Sequence, residues 1–102
     1  MERHSEFGKF TAKAGHGREL LNILLEAAEE MKKVPDCRCY IVGMDKEEPD
    51  SVYVFEVWEN EEAHQASLSL DSVKNMIKNA MPIIDGMINF PDMVIYGGKA
   101  GL

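Results

Sequence analysis

The stretch Ser51-Val-Tyr-Val-Phe-Glu-Val-Trp-Glu-Asn60 decides the fold, because a β-rich run passes directly into a helix start at Asn60-Glu-Glu-Ala63. Side chains alternate along an extended strand, so Tyr53, Phe55 and Val57 share one side while Val52, Val54, Glu56 and Trp58 share the other. Both sides are largely apolar and both need cover. A strand of this kind belongs in a sheet with helices on one face and further packing, often a partner subunit, on the other.

The remaining elements fall on either side of that strand. Ser5 to Lys13 reads as a first strand, with Phe7 and Phe10 on opposite faces, broken by Gly15 and Gly17. From Arg18 to Lys33, the residues Leu20, Leu24, Ala27 and Met31, flanked by Leu21, Leu25 and Ala28, form a wide helical stripe. Lys32 and Lys33 suit the negative end of that helix, and Pro35-Asp36 closes it. Cys37 to Asp45 is the next strand, joined by the acidic turn Lys46-Glu-Glu-Pro-Asp50 to the strand at 51–58 in an antiparallel hairpin. Asn60 is placed to cap a helix that falters near Ser69-Leu-Asp-Ser72, where Asp71 or Ser72 caps a second segment. In that segment Val73, Met76, Ile77, Ala80 and Met81 recur at helical spacing, and Pro82 and Gly86 place its end between residues 81 and 86. A last strand from Met87 to Gly97 carries Pro91, which suits an edge or a bulge. The order predicts an α+β, ferredoxin-like split βαββαβ fold: a four-stranded antiparallel sheet with both helices on one face. Its bare apolar face predicts a homodimer joined sheet to sheet.

Length and composition set the outer limits. At 102 residues the chain reads as a single domain, 1–102. A formal charge of −7, with 11 Lys and Arg among 18 Asp and Glu, argues against nucleic acid and against an anionic membrane surface. No apolar run approaches the about 18 residues of a membrane span, and Met-Glu-Arg-His-Ser-Glu lacks a signal's apolar stretch, so the expected location is the cytoplasm. Cys37 and Cys39, two apart on a strand and on one face, are poorly placed to bridge and read as small hydrophobes. No metal site is expected, since zinc spacing would need more soft ligands closer together. Gly15-His-Gly17 lacks the residues of a phosphate cradle, and His4 is expected to be exposed.

Three short patterns carry a resemblance: Lys13-Ala-Gly-His-Gly-Arg-Glu19 opening the first helix, Val54-Phe-Glu-Val-Trp58 followed by Glu62-Ala63, and Ala80-Met-Pro82 with Asp85-Gly86. Together they resemble the antibiotic biosynthesis monooxygenase (ABM) family and its quinol-oxidising members. The resemblance implies a dimeric α+β barrel with a pocket between sheet and helices. It also implies oxygen chemistry on a quinol or polycyclic phenol with no flavin, haem or metal cofactor, the partners being a small aromatic substrate and molecular oxygen. One departure stands out: family members carry helix histidines where this chain reads Ser67-Leu-Ser-Leu-Asp-Ser72, and the nearby histidine is His64.

Such chemistry asks for an apolar cavity and a base that generates the substrate anion. His64 titrates near neutrality and is the candidate base, although a histidine on a short polar helix is also commonly just solvated. Trp58 stands where it could stack on a flat substrate or position oxygen, or simply plug the core. Glu56, on the same face, becomes a second candidate base if burial raises its pKa, the plainer reading being a solvent-facing or partner-paired carboxylate. Phe10, Met76, Ile77 and Met81 are the expected substrate-lining residues, the last three lying on a stripe that equally serves as core. Tyr40 and Tyr53 could each face substrate or a dimer partner. Two other functions use the same fold: a haem-degrading enzyme, which would have an Asn in the first strand where Glu6 to Lys13 has none, and a non-catalytic ligand-binding dimer.

Overall fold

A computed structural model describes residues 2–100. The chain runs β1 (Arg3–Ala12), α1 (Gly17–Met31), β2 (Cys37–Met44), β3 (Ser51–Trp58), α2 (Glu61–Ser67), α3 (Asp71–Ala80), a 3-10 turn (Met81–Ile83), β4 (Ile84–Asn89) and β5 (Val94–Ile95). The strands form one antiparallel sheet in the order β2-β3-β1-β4, with β5 also paired to β1. This is the expected ferredoxin-like α+β arrangement, with five strands rather than four and with the second helix split as its sequence implies.

The extra strand comes from Pro91. The Met87–Gly97 strand of the sequence reading is two pieces, β4 beginning at Ile84 and β5 at Val94, both on the same edge of β1. Pro91 has no N–H to donate and falls in the break between them. The break is stitched at both ends: Phe90 N–H donates to the Phe7 carbonyl at 2.9 Å, and the Ser5 hydroxyl donates to the Met93 carbonyl at 2.7 Å.

Two core layers hold the helices to the sheet. Leu20 and Leu24 of α1 pack with Ala12, Val52, Val54, Ala80 and Ile83, and Trp58 packs with Met31 and Val73. Burying a leucine of this kind contributes roughly 1.5–3 kcal/mol. The buried α1 stripe is narrower than expected, since Leu25 is exposed. Asn60 caps α2 as its side-chain oxygen accepts from Ala63 N–H at 2.8 Å. Neither Asp71 nor Ser72 caps α3; extended Leu70 occupies that position, and Asp71 instead places its charge in the positive first turn. A bulge between Cys37 and Cys39 pairs them with Trp58 and Val57 in turn, so the two thiols face opposite sides of the sheet rather than one. Among the described residues no helix is long and apolar enough to cross a membrane.

The N-terminus of α1 is held from outside the helix. Asp50, at the end of the β2–β3 turn, accepts from Gly17 N–H at 2.9 Å and Gly15 N–H at 3.2 Å. The approach is so close that a Cβ on Gly17 would lie 2.0 Å from the Pro49 carbonyl oxygen and 2.6 Å from Asp50 Cα. Gly17→Ala is therefore expected to force the turn off the helix and cost about 1–3 kcal/mol, measurable as a lowered urea midpoint at unchanged slope. An unchanged midpoint would show that the turn yields freely.

Candidate functional site

The pairing of β1 with β3 gathers the polar groups. His4 stands opposite Trp58 and Glu6 opposite Glu56, and all four point to the helix side. Trp58 is only 1 % exposed, and its Nε1–H donates to Glu56 Oε1 at 2.9 Å. Burial pushes the Glu56 carboxyl above the ordinary carboxylate range, helped by the charge of Glu6; the Trp58 hydrogen bond and the imidazoles of His64 and His4 pull it back. Glu56 is thus neither a surface carboxylate nor an unpartnered one.

A partly open cavity of about 290 Å³ lies between sheet and helices, with Ile77, Met81 and Met87 exposed at its mouth. Its wall is apolar apart from Tyr40 and Glu56: Phe10 from β1, Leu20 and Leu24 from α1, Val54 from β3, Met76, Ile77 and Ala80 from α3, then Met81, Ile84 and Met87. A second hollow of about 80 Å³ continues beyond Tyr40, Glu56, Met76 and Ile77, which line both, and reaches Trp58, His64 and Ser67. The four residues expected to line a substrate, Phe10, Met76, Ile77 and Met81, surround the larger space; Glu56, Trp58 and His64 surround the smaller one. Trp58 plugs the core, packed among Met31 and Val73, and one edge of it also lines the hollow.

His64 projects from α2 toward β1. Its ring meets Trp58 edge-on at 5.7 Å between centroids and lies 5.7 Å from the ring of His4. Its Nδ1 is buried without a hydrogen-bond partner, 3.9 Å from Glu6 Oε2, so it is not the solvated histidine of a polar helix. Glu6 in turn is bonded to His4 Nε2 at 2.5 Å.

His4 and Glu6 were not legible as site residues. With its side chain only 13 % exposed, His4 is not the exposed terminal residue expected. The strand begins at Arg3, two residues earlier than its apolar pattern indicates, and that extension brings His4 in. The period-two spacing of His4 and Glu6 against Glu56 and Trp58 was the available signal. Tyr40 and Tyr53 divide cleanly: Tyr40 lines the cavity, where burial and the nearby Glu56 raise its pKa, whereas Tyr53 on the opposite face bonds Asp45 Oδ2 at 2.9 Å. The helix-facing positions of β1 are His4, Glu6, Gly8, Phe10 and Ala12, none of them an amide.

The class defined by this geometry is a small α+β protein with helices on one face of an antiparallel sheet and an apolar cavity between the layers. Residues 4–79 match the family model described as antibiotic biosynthesis monooxygenase, and the chain belongs to that family. A candidate antibiotic biosynthesis monooxygenase from Chloroflexus aurantiacus J-10-fl is similar at 35% identity and a TM-score of 0.83, covering 97% of this chain and 98% of that one. A further candidate member from Deinococcus radiodurans has 23% identity and a TM-score of 0.74, covering 98% and 95%. A conserved protein from Methanosarcina mazei Go1 has 20% identity and a TM-score of 0.78, covering 93% and 92%. The latter two likenesses are of fold. No curated protein matches the chain.

The environment of Glu56 gives a pH signature. A carboxyl whose pKa is raised by folding adds stability that is fully present below its unfolded value of about 4.3 and is lost as pH rises through the folded pKa. Glu56→Gln keeps an acceptor for Trp58 Nε1–H and removes the charge. The variant is expected to gain stability relative to the parent as urea denaturation is moved from about pH 4 to about pH 8. A difference that does not vary with pH would contradict the buried carboxylate.

Proposed function

We propose that the protein is a cofactor-independent monooxygenase that oxidises a small phenol or quinol with molecular oxygen. The observation that supports it best is the nearly all-apolar cavity of about 290 Å³ leading to the cluster of Glu56, Trp58 and His64. Such a wall recognises shape and hydrophobicity, and its volume stands at the small end of ligand pockets, which favours a compact aromatic.

In this reading the aromatic ring lies among Phe10, Met76, Ile77 and Met81, with its hydroxyl toward the polar end. His64 takes the phenolic proton as general base, oriented by Glu6 on one side and the Trp58 ring on the other. Glu56, fixed by Trp58, is the second acceptor within the same hollow and holds the hydroxyl in line. The phenolate gives one electron to oxygen; the resulting aryloxyl radical and superoxide join at a ring carbon as a peroxide anion, which takes back the proton held by His64 to become a hydroperoxide. Loss of water from the O–O bond, with departure of the proton on that carbon, leaves a quinone, so one oxygen atom enters the product and the other leaves as water. Dry walls favour this by keeping the radical pair and hydroperoxide from solvent.

Oxygen-electrode assays with a panel of reduced benzoquinones, naphthoquinones and simple phenols test the proposal. Uptake above the buffer rate is expected, with His64→Ala lowering kcat by roughly 10²-fold or more. No turnover with any of them, alongside retained binding of the same phenols, would instead make the protein a non-catalytic binder, the reading that Ser67 in place of a helix histidine favours.

The functional unit of this proposal is a homodimer. Phe7 stacks on Phe90 at 4.7 Å and meets Phe55 edge-on at 5.8 Å on the face away from the helices, where Ile41 and Ile88 are more than half exposed. A contiguous aromatic and aliphatic sheet face of this kind is costly to leave in water. Ile41→Lys is expected to convert a dimer into a monomer in sedimentation at micromolar concentration; a parent protein that sediments as a monomer would contradict the dimer.

A further inference from the structure

We propose that His4, Glu6 and His64 form a binding site for one divalent transition-metal ion. One ligand atom from each residue lies within 4.8 Å of the others. Glu6 Oε2 is the hub, 2.5 Å from His4 Nε2 and 3.9 Å from His64 Nδ1. Donors around a tetrahedral ion with bonds of about 2.0–2.2 Å stand roughly 3.4 Å apart, which falls between these spacings. Admitting the ion requires side-chain rotation that opens the first contact, closes the second and brings the two histidine nitrogens, now within 4.8 Å, to the same spacing.

Three features separate this group from a chance meeting of charges. His4 and Glu6 are alternate residues of a regular strand, so the backbone fixes two donors on one face, and the third comes from a helix with a capped N-terminus. The orphaned Nδ1 of His64 is buried and has no other partner, and an ion held against Glu6 would satisfy it. The histidine side chains are only 13 % and 18 % exposed, so most of the water such an ion would otherwise hold is excluded. Two imidazole nitrogens with one carboxylate suit Zn²⁺, Co²⁺, Ni²⁺ or Fe²⁺ and do not suit Mg²⁺ or Ca²⁺, which prefer all-oxygen shells.

The site stands independently of the proposed oxygenation, but it has a consequence there. An ion on Nδ1 of His64 leaves the other ring nitrogen carrying hydrogen, so the imidazole has no free lone pair with which to take a proton. Occupation is expected to suppress turnover by the same histidine.

Metal-stripped protein titrated with Co²⁺ and Zn²⁺, followed by calorimetry and by the visible ligand-field bands of Co²⁺, tests the site without reference to activity. The expected result is one ion per chain, with no heat from Mg²⁺, and affinity weakened at least about tenfold by Glu6→Gln or His4→Gln. His16→Gln, in the exposed His16–Glu19 pair, is expected to leave binding unchanged. Absence of stoichiometric binding, or binding that survives Glu6→Gln and His4→Gln, would overturn the proposal. If those variants fold poorly, crystals of the unaltered protein soaked in Zn²⁺ decide it: an anomalous peak among the three donors supports the site, and a peak elsewhere or none overturns it.

Discussion

The antiparallel register between β1 and β3 is the constraint on which the rest depends. It sets Glu6 across from Glu56 and His4 across from Trp58, and with the same step it sets Phe7 across from Phe55 on the other face. A slip of one residue would exchange the two faces, sending the carboxylates outward and the phenylalanines into the helix layer. The register is specified from both sides: Val52 and Val54 must be buried beneath α1, and the ladder is continued by β2, whose Tyr40 and Val42 point the same way. One strand pair therefore separates a helix-covered chamber from an exposed aromatic face.

Within the chamber, opposing tendencies are held in balance. In the proposed reaction, apolar walls favour an aromatic guest but penalise the charge needed to activate it. The protein confines that charge to one end and surrounds it with partners: the indole N–H on Glu56 and the imidazole of His4 on Glu6. His64 in this cluster keeps its buried Nδ1 without a hydrogen-bond partner. A buried group left in that state contributes nothing to stability, and this is the pattern expected of an atom reserved for an incoming proton or ion.

Much of this was legible in the sequence because the signals were periodic. The α1 stripe, the strand at 51–58 and the Asn60 cap each follow from one local rule, and the lining residues Phe10, Met76, Ile77 and Met81 follow from those elements being laid face to face. Where reading failed, the cause was non-local. His4 lies outside the apolar pattern of β1 and enters because it is paired on both edges, with Trp58 of β3 and with Val94 of β5. The thiols of Cys37 and Cys39 diverge because of a bulge that no residue type announces. Pro91 correctly signalled an irregular edge, yet the position of β4 depended on the short 3-10 turn at Met81–Ile83, which lets the strand start three residues before Met87. The grouping of His4, Glu6 and His64 joins positions too far apart for any spacing motif.

The proposed function requires an aromatic guest to enter the space between sheet and helices. Methyl-resolved NMR of methionine-labelled protein, titrated with a reduced naphthoquinone under argon, addresses this directly. The methyls of Met76, Met81 and Met87, which line the cavity, are predicted to shift together and saturably, while exposed Met93 stays in place. Shifts confined to Met93, or none at saturating quinol, would contradict a substrate chamber beneath the helices.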